Sequence, residues 1–244
     1  MLQSKGFKRT FKHNLLLAVL FAFAAGVVNV FGLVSFGVFT TNITGHIGEF
    51  ALSFELSKWS AVKHLTLWIA AFAMGSFTSS VIIGFFENRI TKLSYSLPII
   101  IEIGLLLWCF FTHSKLENVN TEIVVLLYAM GLQNGIVSVV SGKVVRTTHL
   151  TGLVTDIGIA LGRVFLRKGN KVLTWQSLIL NFSIITAFIF GALVSAYLTL
   201  TYNEYALLIP IVLLLSILIY DFQAIEKGMK RMKRFKKGTI TQTV

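Results

Sequence analysis

The sequence predicts an all-α protein built as a polytopic transmembrane helical bundle: six full spans, two short re-entrant or broken helices, and two inverted three-span repeats. Three observations lead there. Hydrophobic residues make up 55% of the 244 residues and the mean hydropathy is +0.78, above the roughly 45 to 50% apolar content of soluble domains. Six apolar runs approach the length of a bilayer crossing. A polar stretch between apolar runs, 40–49, returns at 147–156.

A bilayer core of about 30 Å takes about 20 residues of helix. Runs near that length cover 14–38, 65–86, 97–112, 122–141, 178–200 and 205–220. Two shorter apolar pieces, 44–56 and 151–162, each follow a copy of the polar stretch. At 1.5 Å per residue they reach roughly 20 Å, part of the way across. Thr41 or Thr44, and Thr148 or Thr151, are their expected N-caps. The start of the chain, basic and then apolar, has the look of a secretory signal, but its apolar run continues to Phe39 and is matched in the second half, so it reads as a retained first span.

The repeat is visible residue by residue. Thr40, Thr41, Ile43, Thr44 and Gly45 pair with Thr147, Thr148, Leu150, Thr151 and Gly152 at a constant offset of 107, and the acids Glu49 and Asp156 keep it. Upstream, Ala25, Gly26 and Asn29 match Met130, Gly131 and Asn134 with a two-residue insertion; downstream, Phe72 and Gly75 match Phe188 and Gly191. The only two prolines, Pro98 and Pro210, are expected to open the last span of each half, where a missing N–H is harmless. The expected organisation is a first repeat at 14–113, a second at 114–222, and basic cytoplasmic tails at 1–13 and 223–244, forming a single membrane domain.

Charge sets the orientation. Only 13% of residues are charged, yet the net charge is +12, concentrated in Lys5, Lys8, Arg9 and Lys12 and in the run from Lys227 to Lys237. With both termini inside, Arg89, Lys92, Lys143, Arg163, Arg167, Lys168 and Lys171 are also inside, as the positive-inside rule asks. Three spans per half then invert the halves. Counting the short helices as full crossings gives eight spans and parallel halves, at the cost of placing Arg89, Lys92, Lys143 and Arg146 outside. The tails fit an anionic lipid surface; nucleic acid is disfavoured for the C-terminal one, since Phe235 is the one aromatic from Ala224 to Lys237. Buried in an apolar run, Cys109 carries no information on compartment.

In an inverted arrangement the two broken segments meet near the midplane. Helix N-termini there offer unpaired N–H groups to an anion or carboxylate. Candidate binding residues are Thr41, Asn42, Thr44 and Gly45 with Thr148, His149, Thr151 and Gly152; candidate coupling or pathway residues are Glu49, Asp156, Glu102, Asn29, Gln133 and Asn134. An intramembrane acid such as Glu102 is costly unless it lines a path or finds a partner such as Asn29, Gln133 or Asn134. Glu49 and Asp156 have a second reading as carboxylates at the water boundary, Asp156 pairing with Arg163 seven residues on. Thr and Gly at helix contacts can equally serve packing and capping alone.

The histidines are scattered without ligand spacing, and no phosphate-binding loop, dinucleotide fingerprint or nucleophile constellation appears. No metal, cofactor or enzymatic activity is therefore expected. Two functions compete: a small secondary transporter or channel for a small anionic or polar solute, and a non-transporting scaffold or intramembrane enzyme in which the motifs only cap and pack. A homo-oligomer stays open.

Gly26, Asn29, Phe39, Thr44 and Gly45, with Gly131, Gln133, Asn134, Arg146, Thr147, Thr148, Thr151, Gly152 and Asp156, resemble the YoaK-like family of bacterial membrane proteins, a domain of unknown function. The resemblance covers nearly the whole chain and implies a bacterial inner-membrane protein of undefined activity. That family often has aspartate at the position of Asn29 and asparagine at that of His46.

Overall fold

The computed structural model describes residues 10–86, 91–115, 119–142, 145 and 147–222, with no side chains at 91–93. The tail expected at 223–244, residues 1–9 of that at 1–13, and Arg89, Lys143 and Arg146 lie outside these residues. Among the described residues all regular structure is helical: α1 (Phe11–Phe36), α2 (Ile43–Glu55), α3 (Trp59–Phe86), α4 (Thr91–Thr112), α5 (Val119–Val140), α6 (Leu150–Phe165), α7 (Lys171–Tyr202), a 3-10 turn (Asn203–Leu207) and α8 (208–222).

Among the described residues, five stretches are long and apolar enough to cross a membrane. The last, Lys171–Phe222, has 52 residues and includes the 3-10 turn, so it is α7 followed by α8. As one straight helix it would measure roughly 78 Å, more than twice a bilayer core. Of the short helices, α2 has 13 residues, close to the expected 44–56, and α6 has 16, running beyond the expected 151–162 to Phe165.

Several boundaries move. Helices α3 and α7 begin at Trp59 and Lys171 rather than at 65 and 178. Hydropathy marks where a helix leaves the apolar layer, but its hydrogen bonds continue through polar residues such as Lys63 and Gln176. Pro98 does not open its span: α4 begins at Thr91 and Pro98 lies inside it. The proline removes one N–H from that helix rather than sitting where none is needed. Pro210 is in the first turn of α8, as anticipated.

The helices are exchanged between halves. Helix α1 packs chiefly on α7, and α3 on α5. Both crossings depend on the absence of a side chain. A Cβ on Gly26 would collide with the Phe188 carbonyl, and one on Gly191 with that of Phe23; in the other crossing, Gly131 faces the Phe72 carbonyl and Gly75 that of Tyr128. These are the same contacts twice, in repeat-equivalent positions. Backbones that close leave no room for even a methyl group, and small residues drive such packing where lipid supplies no hydrophobic force. Around the crossings the core holds Phe21, Phe31, Tyr95, Ile99, Leu126 and Met130, all buried, while Phe77, Phe85, Leu193 and Leu200 stand exposed on the outer faces of α3 and α7. Large apolar side chains on the outside suit a lipid environment.

The linkers repeat too. Gly37 (φ 71°) and Gly142 (φ 64°) adopt left-handed conformations just beyond α1 and α5. Two residues lie between Gly37 and Thr40 and four between Gly142 and Thr147, which locates the two-residue insertion. In the α2–α3 turn, Ser57 has φ 55° and the N–H groups of Leu56, Ser57 and Lys58 bond the carbonyls of Leu52, Phe54 and Ser53. In the α6–α7 turn, Arg167 has φ 55° and Leu166, Arg167 and Lys168 bond Gly162, Val164 and Arg163 in the same pattern.

Where α4 ends and α5 begins, His113 Nδ1 donates to the Glu122 carboxylate, 3.0 and 3.2 Å from its two oxygens. The imidazole lies 5.1 Å from the Phe31 ring and 5.6 Å from that of Phe36.

Candidate functional site

A cavity of about 550 Å³ lies where the two polar segments meet. Its lining is almost wholly made of repeat pairs: Asn29 with Asn134, Thr41 with Thr148, and Asn42 with His149. Ile43 with Leu150, Thr44 with Thr151, and Phe72 with Phe188 complete the set. The one unpaired wall residue, Phe39, has its counterpart at Arg146, outside the described residues. Phe72 is 13 residues from Trp59 and 14 from Phe86, so the cavity sits at mid-length of α3. Because α2 folds back along α3 through the tight 56–58 turn, its N-terminus arrives at that level.

In the first segment the chain is tied. Asn29 Oδ1, on α1, accepts from the Thr41 N–H at 3.0 Å and from the Thr41 hydroxyl at 2.8 Å. The N-cap of α2 is Asn42, not Thr41 or Thr44: its Oδ1 accepts from the Gly45 N–H at 3.1 Å. Asparagine is a strong N-cap because its oxygen reaches the N3 amide. Gly45 makes room for it, since a Cβ there would lie 2.7 Å from Asn42 Nδ2. One turn on, His46 Nε2–H donates to the Phe39 carbonyl at 2.8 Å, and its ring is 5.4 Å from that of Trp68.

The second segment has the same course with fewer ties. His149 is the N-cap of α6, not Thr148 or Thr151, and makes no side-chain capping bond. A Cβ on Gly152 would collide with its imidazole, so this glycine, too, makes room for the cap residue. Leu153 replaces His46 and is buried without a polar function. Asn134 Oδ1, the counterpart of the atom that holds Thr41, is buried with no hydrogen-bond partner. The hydroxyls of Thr40 and Thr147, buried behind the segments, are also unpartnered.

Among the predicted binding residues, Thr41, Asn42, Thr44, Thr148, His149 and Thr151 line the cavity; Gly45 and Gly152 act behind it. Of the predicted pathway residues, Asn29 and Asn134 line it. Glu49 and Asp156 do not: both are exposed on the far faces of their helices, Glu49 4.0 Å from His46 Nδ1. Asp156 and Arg163 form no ion pair among the described residues, which corrects that expectation. Glu102 is fully buried among Ile99, Ile103 and Leu106, and neither oxygen has a hydrogen-bond partner, whether Asn29, Gln133 or Asn134. Gln133 instead ties α5 to α1, Nε2 donating to the Phe21 carbonyl at 3.0 Å. Sequence reasoning passed over Phe72, Phe188, Ile43 and Leu150 as wall residues, although each was a repeat landmark. The repeat itself was the signal. Groups of three or more acids, histidines or cysteines able to hold a metal are absent among the described residues.

The architecture defines a class: a helical, multi-pass membrane protein whose central cavity is built from two copies of one short polar segment. Within that class, the chain belongs to the family described as "Protein of unknown function (DUF1275)", which matches residues 17–220. It is also similar to the "UPF0700 transmembrane protein YoaK" of Bacillus subtilis (strain 168), 26% identical over 213 residues that cover 84% of this chain and 92% of that one. No solved structure matches.

Proposed function

We propose that the protein is a small transporter or channel for a small anionic or polar solute, with the solute held in the paired cavity. The observation that carries this reading is the lining itself, in which six positions of one half face their six counterparts of the other. A packing device would fill such a space. Here about 550 Å³ is left open, within the 300 to 1,000 Å³ usual for ligand sites. Two helix N-termini, four threonine hydroxyls and the amides of Asn29, Asn42 and Asn134 surround it. Positive dipole ends and neutral donors favour a compact polar or anionic guest over a cation.

The transport geometry we infer is six spans in two inverted halves, with both termini in the cytoplasm of a bacterium and the protein in its inner membrane. The exchanged glycine crossings and the matched turns support a two-fold relation between halves, and the distribution of Lys and Arg supports its inversion. Inverted halves around a midplane site are the arrangement in which rocking one half on the other opens it alternately to either side. The reading takes the threonines and His149 of the lining as binding groups rather than as nucleophiles and a base.

The test has two stages. Purified protein is screened against inorganic anions, carboxylates and small neutral metabolites for thermal stabilisation, because a bound ligand stabilises by mass action. The stabilising solute is then supplied to proteoliposomes containing wild type or Thr44→Val/Thr151→Val. Valine keeps the shape and removes both hydroxyls; uptake is expected to fall at least tenfold with folding unchanged. Undiminished uptake by the double variant would remove the cavity from the mechanism.

A further inference from the structure

The α6–α7 turn carries a second recess that the proposed transport site does not use. It encloses about 380 Å³ between the end of α6 and the start of α7, bordered by Arg163, Arg167, Lys168, Lys171 and Trp175. The turn gathers these cations. With Arg167 at φ 55° and Gly169 at φ 85°, the chain reverses within a few residues, and the Lys168 N–H to Arg163 carbonyl bond of 3.0 Å holds it closed. Asn170 then caps α7, accepting from Val172 and Leu173 at 3.0 and 3.2 Å, so Lys171 and Trp175 stand one turn apart on the same side.

Among the described residues the four cations have no ion-pair partner. From Leu150 to Trp175 the one acid is Asp156. Backbone geometry does not demand them either. The α2–α3 turn has the same hydrogen bonds and the same left-handed residue, yet holds Ser53, Ser57 and Lys58 where this turn holds Arg163, Arg167 and Lys168. Around the recess the surface is apolar and outward-facing: Phe165 is 86% exposed, Val172 65% and Leu173 63%. Trp175, 54% exposed, is the residue type that settles at a membrane interface.

We propose that this recess binds the phosphate of an anionic membrane lipid, with the arginine forks and lysines on the headgroup and the apolar rim against its acyl chains. Guanidinium groups match phosphate oxygens bidentately, and each nearby lysine adds charge attraction. A soluble phosphate would use the same cations but gain nothing from the rim. Neither the orientation of the chain nor the solute is needed for this assignment.

The full-length protein in nanodiscs of phosphatidylcholine is compared with the same protein after titration with phosphatidylglycerol, reading thermal stability and lipid retained in native mass spectrometry. Wild type is expected to gain stability and retain phosphatidylglycerol. Arg163→Gln/Arg167→Gln/Lys168→Gln/Lys171→Gln should weaken the response about tenfold or more, whereas Lys58→Gln/Lys63→Gln, at the α2–α3 turn and the start of α3, should leave it intact. Equal loss in both variants, or an equal response to phosphatidylcholine, overturns the site. An equal gain from glycerol phosphate or inorganic phosphate alone overturns the lipid as its source. Should the first variant not fold, wild type still decides: the fluorescence lost in Trp175→Phe must be quenched more by brominated phosphatidylglycerol than by brominated phosphatidylcholine, and equal quenching overturns the proposal.

Discussion

The two threonine-glycine segments follow one backbone course and differ in how much of their polar surface is already spoken for. In the first, Asn29 accepts twice from Thr41, Asn42 caps α2 and His46 closes onto Phe39. In the second, Asn134 Oδ1 is unpartnered, His149 makes no side-chain cap and Leu153 cannot bond at all. A duplicated motif has thus divided its labour: the first copy is a fixed wall, and the second retains hydrogen-bonding capacity. In the proposed transporter, the second copy is the half that contacts solute first and rearranges around it.

The sharpest test of that division compares the two asparagines. Asn29→Leu strands the Thr41 N–H and hydroxyl, and is expected to destabilise by about 1 to 3 kcal/mol. Asn134→Leu removes an atom that bonds nothing in the folded protein; melting should be near wild type while ligand-induced stabilisation is lost. Thermal unfolding with and without ligand reads both, and equal losses of stability would erase the distinction. A smaller effect is expected at the caps. Asn42→Ala should cost about 1 kcal/mol, and His149→Ala clearly less, since its ring makes no capping bond; the difference in melting temperature between the two variants measures it.

The smallest effect lies outside both segments and serves as their control. The hydrogen bond from His113 to Glu122 raises the imidazole pKa above its usual 6.5. A raised folded-state value means that the folded protein binds this proton more tightly than the unfolded chain. The stabilisation is therefore complete below pH about 6.5 and is lost as pH rises through the folded-state value. Melting temperature should fall modestly over that window in wild type and in the segment variants, and the slope should flatten in His113→Gln.

Much of this was legible in the sequence because a repeat states each fact twice. The positions that line the cavity are those that pair between the halves, at an offset of 107 in the polar segments, 105 for Asn29 with Asn134 and 116 for Phe72 with Phe188, and the helix exchange follows the glycines that pair. The caps were misread because threonine, asparagine and histidine stand side by side, and only the course of the chain selects among them. Glu49 and Asp156 were legible as a pair but not in direction. Each lies six residues beyond the cavity residues Ile43 and Leu150, which at 100° per residue turns it about 120° away. Glu102 looked like a pathway group because an intramembrane acid is costly; which neighbours enclose it is set by long-range packing that no local pattern encodes.

The glycine crossings have a consequence for how the molecule comes into being. Gly26 and Gly75 meet their partners at Phe188 and Tyr128, both in the half synthesised later. When α1 to α4 have been released into the bilayer, α1 and α3 each carry a groove cut for a helix that does not yet exist. The first half cannot reach its final form by itself, nor can the second, and the two are interlocked like clasped hands. The closest helix crossings all run between the halves, so a break anywhere between α4 and α5 leaves two incomplete surfaces.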